Sequence, residues 1–238
     1  MQFKLDSSQI LYFDQHIVAV NKPSGVTIGQ DHPSMPSLLS AVRDWNRHRV
    51  GEGKTGYCMP IHFLDTSVTG VVLFGLSSKA TARINELFRS RKIKKTYAAI
   101  VSPAPLNSQG TLVDWIEKDE KSNRGHVVPK ETKTSKRCEL TYVVLDKDST
   151  DKQALLAVKP VTGRSHQIRI QLSQMNSPII GDFKYGSTSR FSEGHIALHA
   201  VKLEFEHPVG KRPMTIEAAL PEYWKSKNFN HLLFNHKA

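Results

Sequence analysis

"IHFLDTSVTGVVLFGL", residues 61–76, is the stretch from which the rest of the chain can be laid out. Its second half, Gly70–Leu76, is a short continuous apolar run carrying Val71 and Val72. A run of that length without alternation reads as a strand covered on both faces. Its first half places one carboxylate, Asp65, between Leu64 and a Thr/Ser-rich turn at the mouth of that strand. Other elements surround it in sequence. "ILYFD" (10–14) and "IVAVNK" (17–22) supply two strands around a Gln-His turn, closed by "KPSG". Residues 37–49 show helical spacing at Leu38, Leu39, Val42 and Trp45, with Ser37 as N-cap. Residues 78–91 do the same at Ala80, Ile84, Leu87 and Phe88.

Further along, "KKTYAAIV" (94–101), "TLVDWIE" (111–117), "CELTYVVLD" (138–146) and "ALLAVKPVTG" (154–163) read as strands. The polar, charge-mixed segment 117–137 reads as an exposed loop or irregular hairpin. "GRSHQIRIQLSQM" (163–175) reads as a helix with Ile168, Leu172 and Met175 as its core stripe. "HIALHAVKLEFEHP" and "RPMTIEAALP" close as strands, followed by a short helix and a loose end. Most connections are turns, with few helices between strands. The expected class is therefore α+β, a mixed, mainly antiparallel sheet with flanking helices, in a single domain over residues 1–238.

Composition narrows the function. Apolar residues are 39% and charged residues 23%, as in ordinary globular domains. The longest apolar run is too short to span a bilayer, and Asp6, Asp14, Gln15 and His16 break any signal-peptide core, so the expected location is cytoplasmic. Cys58 and Cys138 form no C-x-x-C pair, which argues against a disulfide framework or a cysteine zinc site. The formal charge of +11 favours a polyanionic partner. Seven basic residues and one acidic residue fall within 79–95, which suits phosphate contact.

Several familiar motifs fail. "GEGKTG" (51–56) lacks the leading glycine of a phosphate loop, where His48 stands, and reads as a flexible loop. His195 and His199 lie in an alternating segment, not on one helix face, so no metal site is expected. There is no H-x-E with P-C-x-x-C and no G-x-S-x-G, which removes zinc deamination and the usual hydrolase serine.

Four pieces remain: "VNKPSG" (20–25), "HFLDTSVTG" (62–70), "KKTYAAIV" (94–101) and "TGRSHQIRIQL" (162–172), the last followed by "SPIIGDFKYG" (177–186). In this order and spacing they resemble the RluA-type family of pseudouridine synthases, from about Ile10 to about Pro221. The resemblance implies isomerisation of uridine to pseudouridine within tRNA or ribosomal RNA, without cofactor or metal, in a catalytic domain with a central cleft. It implies Asp65 as the catalytic carboxylate, Tyr97 as the residue packing on the target base, and Arg169 as the cation paired with Asp65. His62 and Leu64 match the frame around the aspartate. RNA contact is expected at His62 and Phe63, and on Lys22, Arg164, Arg89, Arg91, Lys94 and Lys95 for the backbone. No separate N-terminal RNA-binding domain is expected, and a monomer is.

The chemistry fits one carboxylate. Breaking C1′–N1 leaves an electron-poor sugar carbon, to which a carboxylate can add, which it can stabilise, or beside which it can remove a proton. An isomerase retains its leaving group and uses no water, so a second carboxylate is unnecessary. Burial disfavours the ionised form and a nearby arginine opposes that. The flipped base needs a flat contact such as Tyr97. Two features depart from the family pattern: "VTG" (68–70) stands for the usual Thr-Ser-Gly, and Phe63 stands where arginine is usual. Phe63 reads either as an apolar wedge filling the space of the flipped uridine or as a core residue. The competing functional reading is a silent RNA-binding or RNA-folding protein on the same scaffold.

Overall fold

The computed structural model describes all residues except 1, 2, 30–35, 52–55, 120, 121, 151, 193, 228 and 230–238. Most of the "GEGKTG" loop and the C-terminal tail therefore lie outside the described residues. The chain divides into two compact units, one of residues 1–94 and 200–219, the other of 95–199 and 220–238.

In the first unit β1 (Ile10–Phe13) pairs antiparallel with β2 (Ile17–Lys22), and β2 with β4 (Thr69–Gly75). A two-residue strand, β3 (Met59–Pro60), pairs with β4. β4 is flanked on its other side by β10 (Leu198–Glu206), which pairs with β11 (Pro213–Glu217). β4 is buried along its whole length, as its unbroken apolar run requires. Alternate residues feed two cores. Val18, Val20, Val72 and Phe74 pack with Leu38, Leu39 and Val42 of α1 (Leu38–Val50). Ile17, Ala19, Val71 and Leu73 pack with Ile84 of α2 (Ser78–Arg89). The period of two along the strands thus places α1 and α2 on opposite faces.

Both helices begin as their sequences indicate. Ser37 accepts a hydrogen bond from the Ser40 N–H, and Ser77 from the Ala80 N–H. α2 ends at Arg89, and Arg91 turns the chain with a φ of 57°. Gly70 is required where it stands. Its φ is +114°, and a Cβ there would lie 2.3 Å from the Ala200 carbonyl oxygen of β10.

In the second unit β5 (Lys94–Val101), β9 (Ala154–Pro160), β8 (Lys136–Lys147), β6 (Gln109–Asp119) and β7 (Arg124–Val128) follow one another in that order, all antiparallel. The segment 117–137 is more regular than its charge suggests. β6 and β7 form a ladder from Trp115↔Val128 to Asp119↔Arg124. α3 (Gln167–Gln174) packs Ile170 on Ile116, Cys138 and Tyr185. It starts later than expected because Gln167 Oε1 accepts from the Arg164 N–H and the Thr162 hydroxyl, which holds the preceding residues in a turn.

The expected core stripe of α3 is also incomplete. Ile168 and Leu172 are buried, but so are Gln167, Arg169 and Gln171. Their polar atoms are satisfied inside. Gln167 Nε2 donates to the Glu139 carbonyl and to Gln171 Oε1, and Gln171 Nε2 donates to Asp114. No helix among the described residues is long and apolar enough to cross a membrane.

Candidate active site

Asp65 opens the turn that feeds β4, and its carbonyl accepts the Val68 N–H. The turn is fastened to the "NKPSG" segment at the end of β2. The Thr66 carbonyl accepts both the Gly25 N–H at 2.9 Å and the Lys22 Nζ at 3.0 Å. Ser24 Oγ donates to the Ser67 carbonyl, and Lys22 Nζ also donates to the Pro23 carbonyl. On the other side Ile61 joins the α2-side core, while Leu64 packs on the α1-side core. The loop is therefore anchored in both cores, with Asp65 half-buried between them.

Lys22 corrects an expectation. Its place beside a Pro-Ser-Gly turn suggested a contact to RNA phosphates, yet the side chain is 0% exposed. It is an internal cation whose ammonium ties down the Asp65 turn. Burial pushes its pKa down to about 7, and the Asp65 carboxylate opposes that shift. His62 also faces inward. Its Nε2 accepts the Leu73 N–H at 3.2 Å, and its ring stacks on Phe88 at 5.2 Å. Phe63 does the opposite and is 66% exposed. Of its two readings, the core residue is removed.

Tyr97 and Arg169 belong to the second unit. Tyr97 pairs with Val158 in the β5–β9 ladder, half-buried at the head of the buried run Ala98–Val101. Arg169 is held by a partner not anticipated from the sequence, Asp182. Its Nε and Nη2 donate to the two carboxylate oxygens at 2.6 and 2.7 Å, with side-chain exposures of 8% and 1%. The guanidinium also lies over the Tyr185 ring, 4.9 Å from its centroid. The Tyr185 hydroxyl shares a 2.6 Å hydrogen bond with His166 Nδ1 and accepts the Gly125 N–H.

Asp182 and Tyr185 reach this position because their segment is pinned beside β5. The Ile180 N–H bonds the Ile100 carbonyl, and the Ile180 carbonyl takes the Ala197 N–H. Both residues sit in the quoted "GDFKYG", so the signal was present. The pairing across thirteen positions was not readable from spacing. Gly125 completes the arrangement, since a Cβ there would meet Ile170 Cδ1 at 2.4 Å.

The remaining basic candidates are surface residues. Arg89, Arg91, Lys94 and Arg164 are exposed, and Lys95 is half-buried with its Nζ donating to the Thr162 carbonyl. Arg89 pairs with Glu86 on the same exposed helix face. Among the described residues no group of histidine, cysteine and carboxylate side chains could hold a metal ion.

Comparison with known proteins identifies the family. Residues 16–174 match the family model described as RNA pseudouridylate synthase. The tRNA pseudouridine synthase C of Vibrio cholerae is 28% identical over 91% of this chain and 93% of its own. The enzyme of the same name from Salmonella typhi is 31% identical over 91% of this chain and 86% of its own. The solved structure of human RNA Pseudouridylate Synthase Domain Containing 4 covers 96% of this chain and 93% of its own, with a TM-score of 0.76 at 23% identity, a likeness of fold. On the strength of the matched motifs and these relatives, the chain belongs to the RNA pseudouridylate synthase family and is an RNA pseudouridine synthase of the RluA type.

Proposed function

We propose that this enzyme acts on uridine in tRNA, with Asp65 as its catalytic carboxylate. The observation that carries the assignment is the setting of Asp65, at the head of a fully buried strand and in a turn bolted down by a buried lysine. A half-buried carboxylate on a rigid turn suits attack at, or proton removal beside, a sugar carbon. The C1′–N1 bond breaks, the base turns, C5 bonds to C1′, and the C5 proton is lost as N1 regains one. Atoms balance without water or an external reductant. The tRNA assignment draws on relatives named for tRNA, found at 28–31% identity over nine-tenths of this chain.

Tyr97 as base contact and Arg169 as the cation serving Asp65 are carried by the motif match. The two units are taken together as one catalytic domain that works as a cytoplasmic monomer. Phe63 is assigned as the wedge. Its exposure and its place two residues before Asp65 support the assignment, since an exposed ring beside the reacting carboxylate can occupy the stack vacated by a flipped base. Exposed Arg89, Arg91, Lys94 and Arg164, with Lys95, are assigned to the RNA backbone.

The test is pseudouridine mapping across tRNA and ribosomal RNA from cells lacking the gene, complemented with the wild type or with Asp65→Asn. Loss at one or a few tRNA uridines, restored by the wild type alone, is expected. Loss confined to ribosomal RNA overturns the substrate, and restoration by Asp65→Asn overturns the role of the carboxylate.

A further inference from the structure

The first unit carries a second surface suited to RNA, at the end of its sheet away from the Asp65 turn. Phe13 ends β1 and is 51% exposed. Its ring meets half-buried Trp45 of α1 edge to face, with centroids 5.4 Å apart. The Arg49 guanidinium lies 5.8 Å from the Phe13 centroid and 5.5 Å from that of Trp45. This cation is built in place. Arg49 Nε and Nη2 both donate to Asn46 Oδ1, at 3.2 and 2.9 Å. Asn46 is itself buried, with its Nδ2 donating to the Tyr57 carbonyl. Arg49 Nη1 has no partner among the described residues. Arg47 and His48 are exposed beside it. The one carboxylate on this helix, Asp44, pairs with Arg47.

The distance from the reacting carboxylate follows from the fold. α1 starts where the Leu38 N–H bonds the Thr27 carbonyl, just past the "KPSG" segment that holds the Asp65 turn. Its thirteen residues then run about 18 Å along the sheet to Val50. Only RNA extending well beyond the target nucleotide reaches this end. A fixed guanidinium next to an exposed ring combines phosphate contact with a stacking face, the two elements that protein surfaces use for single-stranded or loop nucleotides. A surface lysine or arginine held only by its own flexibility would lose more entropy on binding than one already clamped by Asn46.

We propose that Phe13, Trp45 and Arg49 form an accessory RNA contact that holds a part of the substrate remote from the modified uridine. It rests on the RNA-modifying function above and adds a place on the enzyme where affinity is gained away from the chemistry. The experiment measures binding of total bacterial tRNA to the wild type, Arg49→Glu and Phe13→Ala at several salt concentrations. Pseudouridine formation at saturating tRNA and the unfolding temperature are followed alongside. Arg49→Glu is expected to weaken binding about tenfold or more and to lower the salt slope by roughly one. Phe13→Ala is expected to weaken it about fivefold with the slope unchanged, because stacking releases no counterions. Turnover at saturation stays at the wild-type rate in both. If the wild type binds and modifies tRNA while both folded variants bind within about twofold of it, the accessory contact is wrong and the function stands. If the wild type does not bind tRNA at all, both fall together.

Discussion

The Asp65 turn and the Arg169 cluster solve the same problem in opposite ways. Each unit fixes one charged side chain to which the proposed function gives a role. In the first unit the anion is left half-exposed, and the rigid element is a buried cation behind it, Lys22, which grips backbone carbonyls. In the second the charge itself, Arg169, is buried, and its restraint is a side-chain carboxylate, Asp182, supported by the Tyr185 ring. A carboxylate that must meet substrate cannot be enclosed. Its precision has to come from the main chain on either side. A cation that only supplies a field can be enclosed, provided every donor is matched.

The contrast can be broken at its strongest point first. Asp182→Ala removes the bidentate carboxylate from the buried Arg169 guanidinium, and a loss of about 3–5 kcal/mol of stability is expected by denaturant unfolding. A loss under about 1 kcal/mol puts the pair in the class of surface bridges and removes the contrast.

Lys22→Met tests the other side. Below pH 7 the wild type bears the full cost of burying a charged ammonium. Its folded pKa is about 7 against an ordinary 10.5. Between those values the unfolded chain holds the proton and the folded one does not, so stability rises with pH in that window. The Cys58 thiol, pushed up to about 12, and the Cys138 thiol, pushed up to about 11, act in the opposite sense above their ordinary 9.0. The wild-type minus variant difference therefore isolates the lysine. The rise should vanish in Lys22→Met, while turnover falls about a hundredfold through loss of positioning. A variant with unchanged turnover would show that Lys22 is only structural filling.

The smallest expected effect is Phe63→Ala. Stability should move by less than about 0.5 kcal/mol, since the ring is largely in solvent. RNA affinity or turnover should drop by an amount equivalent to about 1–3 kcal/mol. Unchanged binding and turnover remove the wedge.

Elements whose burial pattern matches their period were legible in the sequence. β5 begins and ends where "KKTYAAIV" does, and α1 starts at its serine cap. β7 was legible only as one of two readings, loop or irregular hairpin, because Arg124, Gly125 and His126 give this sheet-edge strand little apolar alternation. The burial of Gln167, Arg169 and Gln171 was hidden for a related reason. Periodicity counts apolar side chains, and this helix buries amides and a guanidinium that find partners on β6, β8 and the 177–186 segment. Lys22 fails the same rule, since a lysine beside a turn is ordinarily solvated. Asp65 and Phe63 drew attention in the sequence because a lone carboxylate and a departure from pattern stand out locally, whereas the buried Lys22 that fastens the Asp65 turn lies more than forty positions away.

One consequence concerns the order in which the protein is made. Gly70, at the head of the strand that carries Asp65, presses against Ala200, and residues 200–219 belong to the same compact unit as the first 94. The strand against which Gly70 packs is thus translated only after residues 95–199 of the second unit. A nascent chain halted between Gly186 and β10 has every motif residue from Lys22 to Arg169 and still lacks the strand against which Gly70 packs. Contacts this distant in sequence form late and slowly. Activity should therefore switch on only after the chain passes Glu206 and clears the ribosome, however early Asp65 emerges.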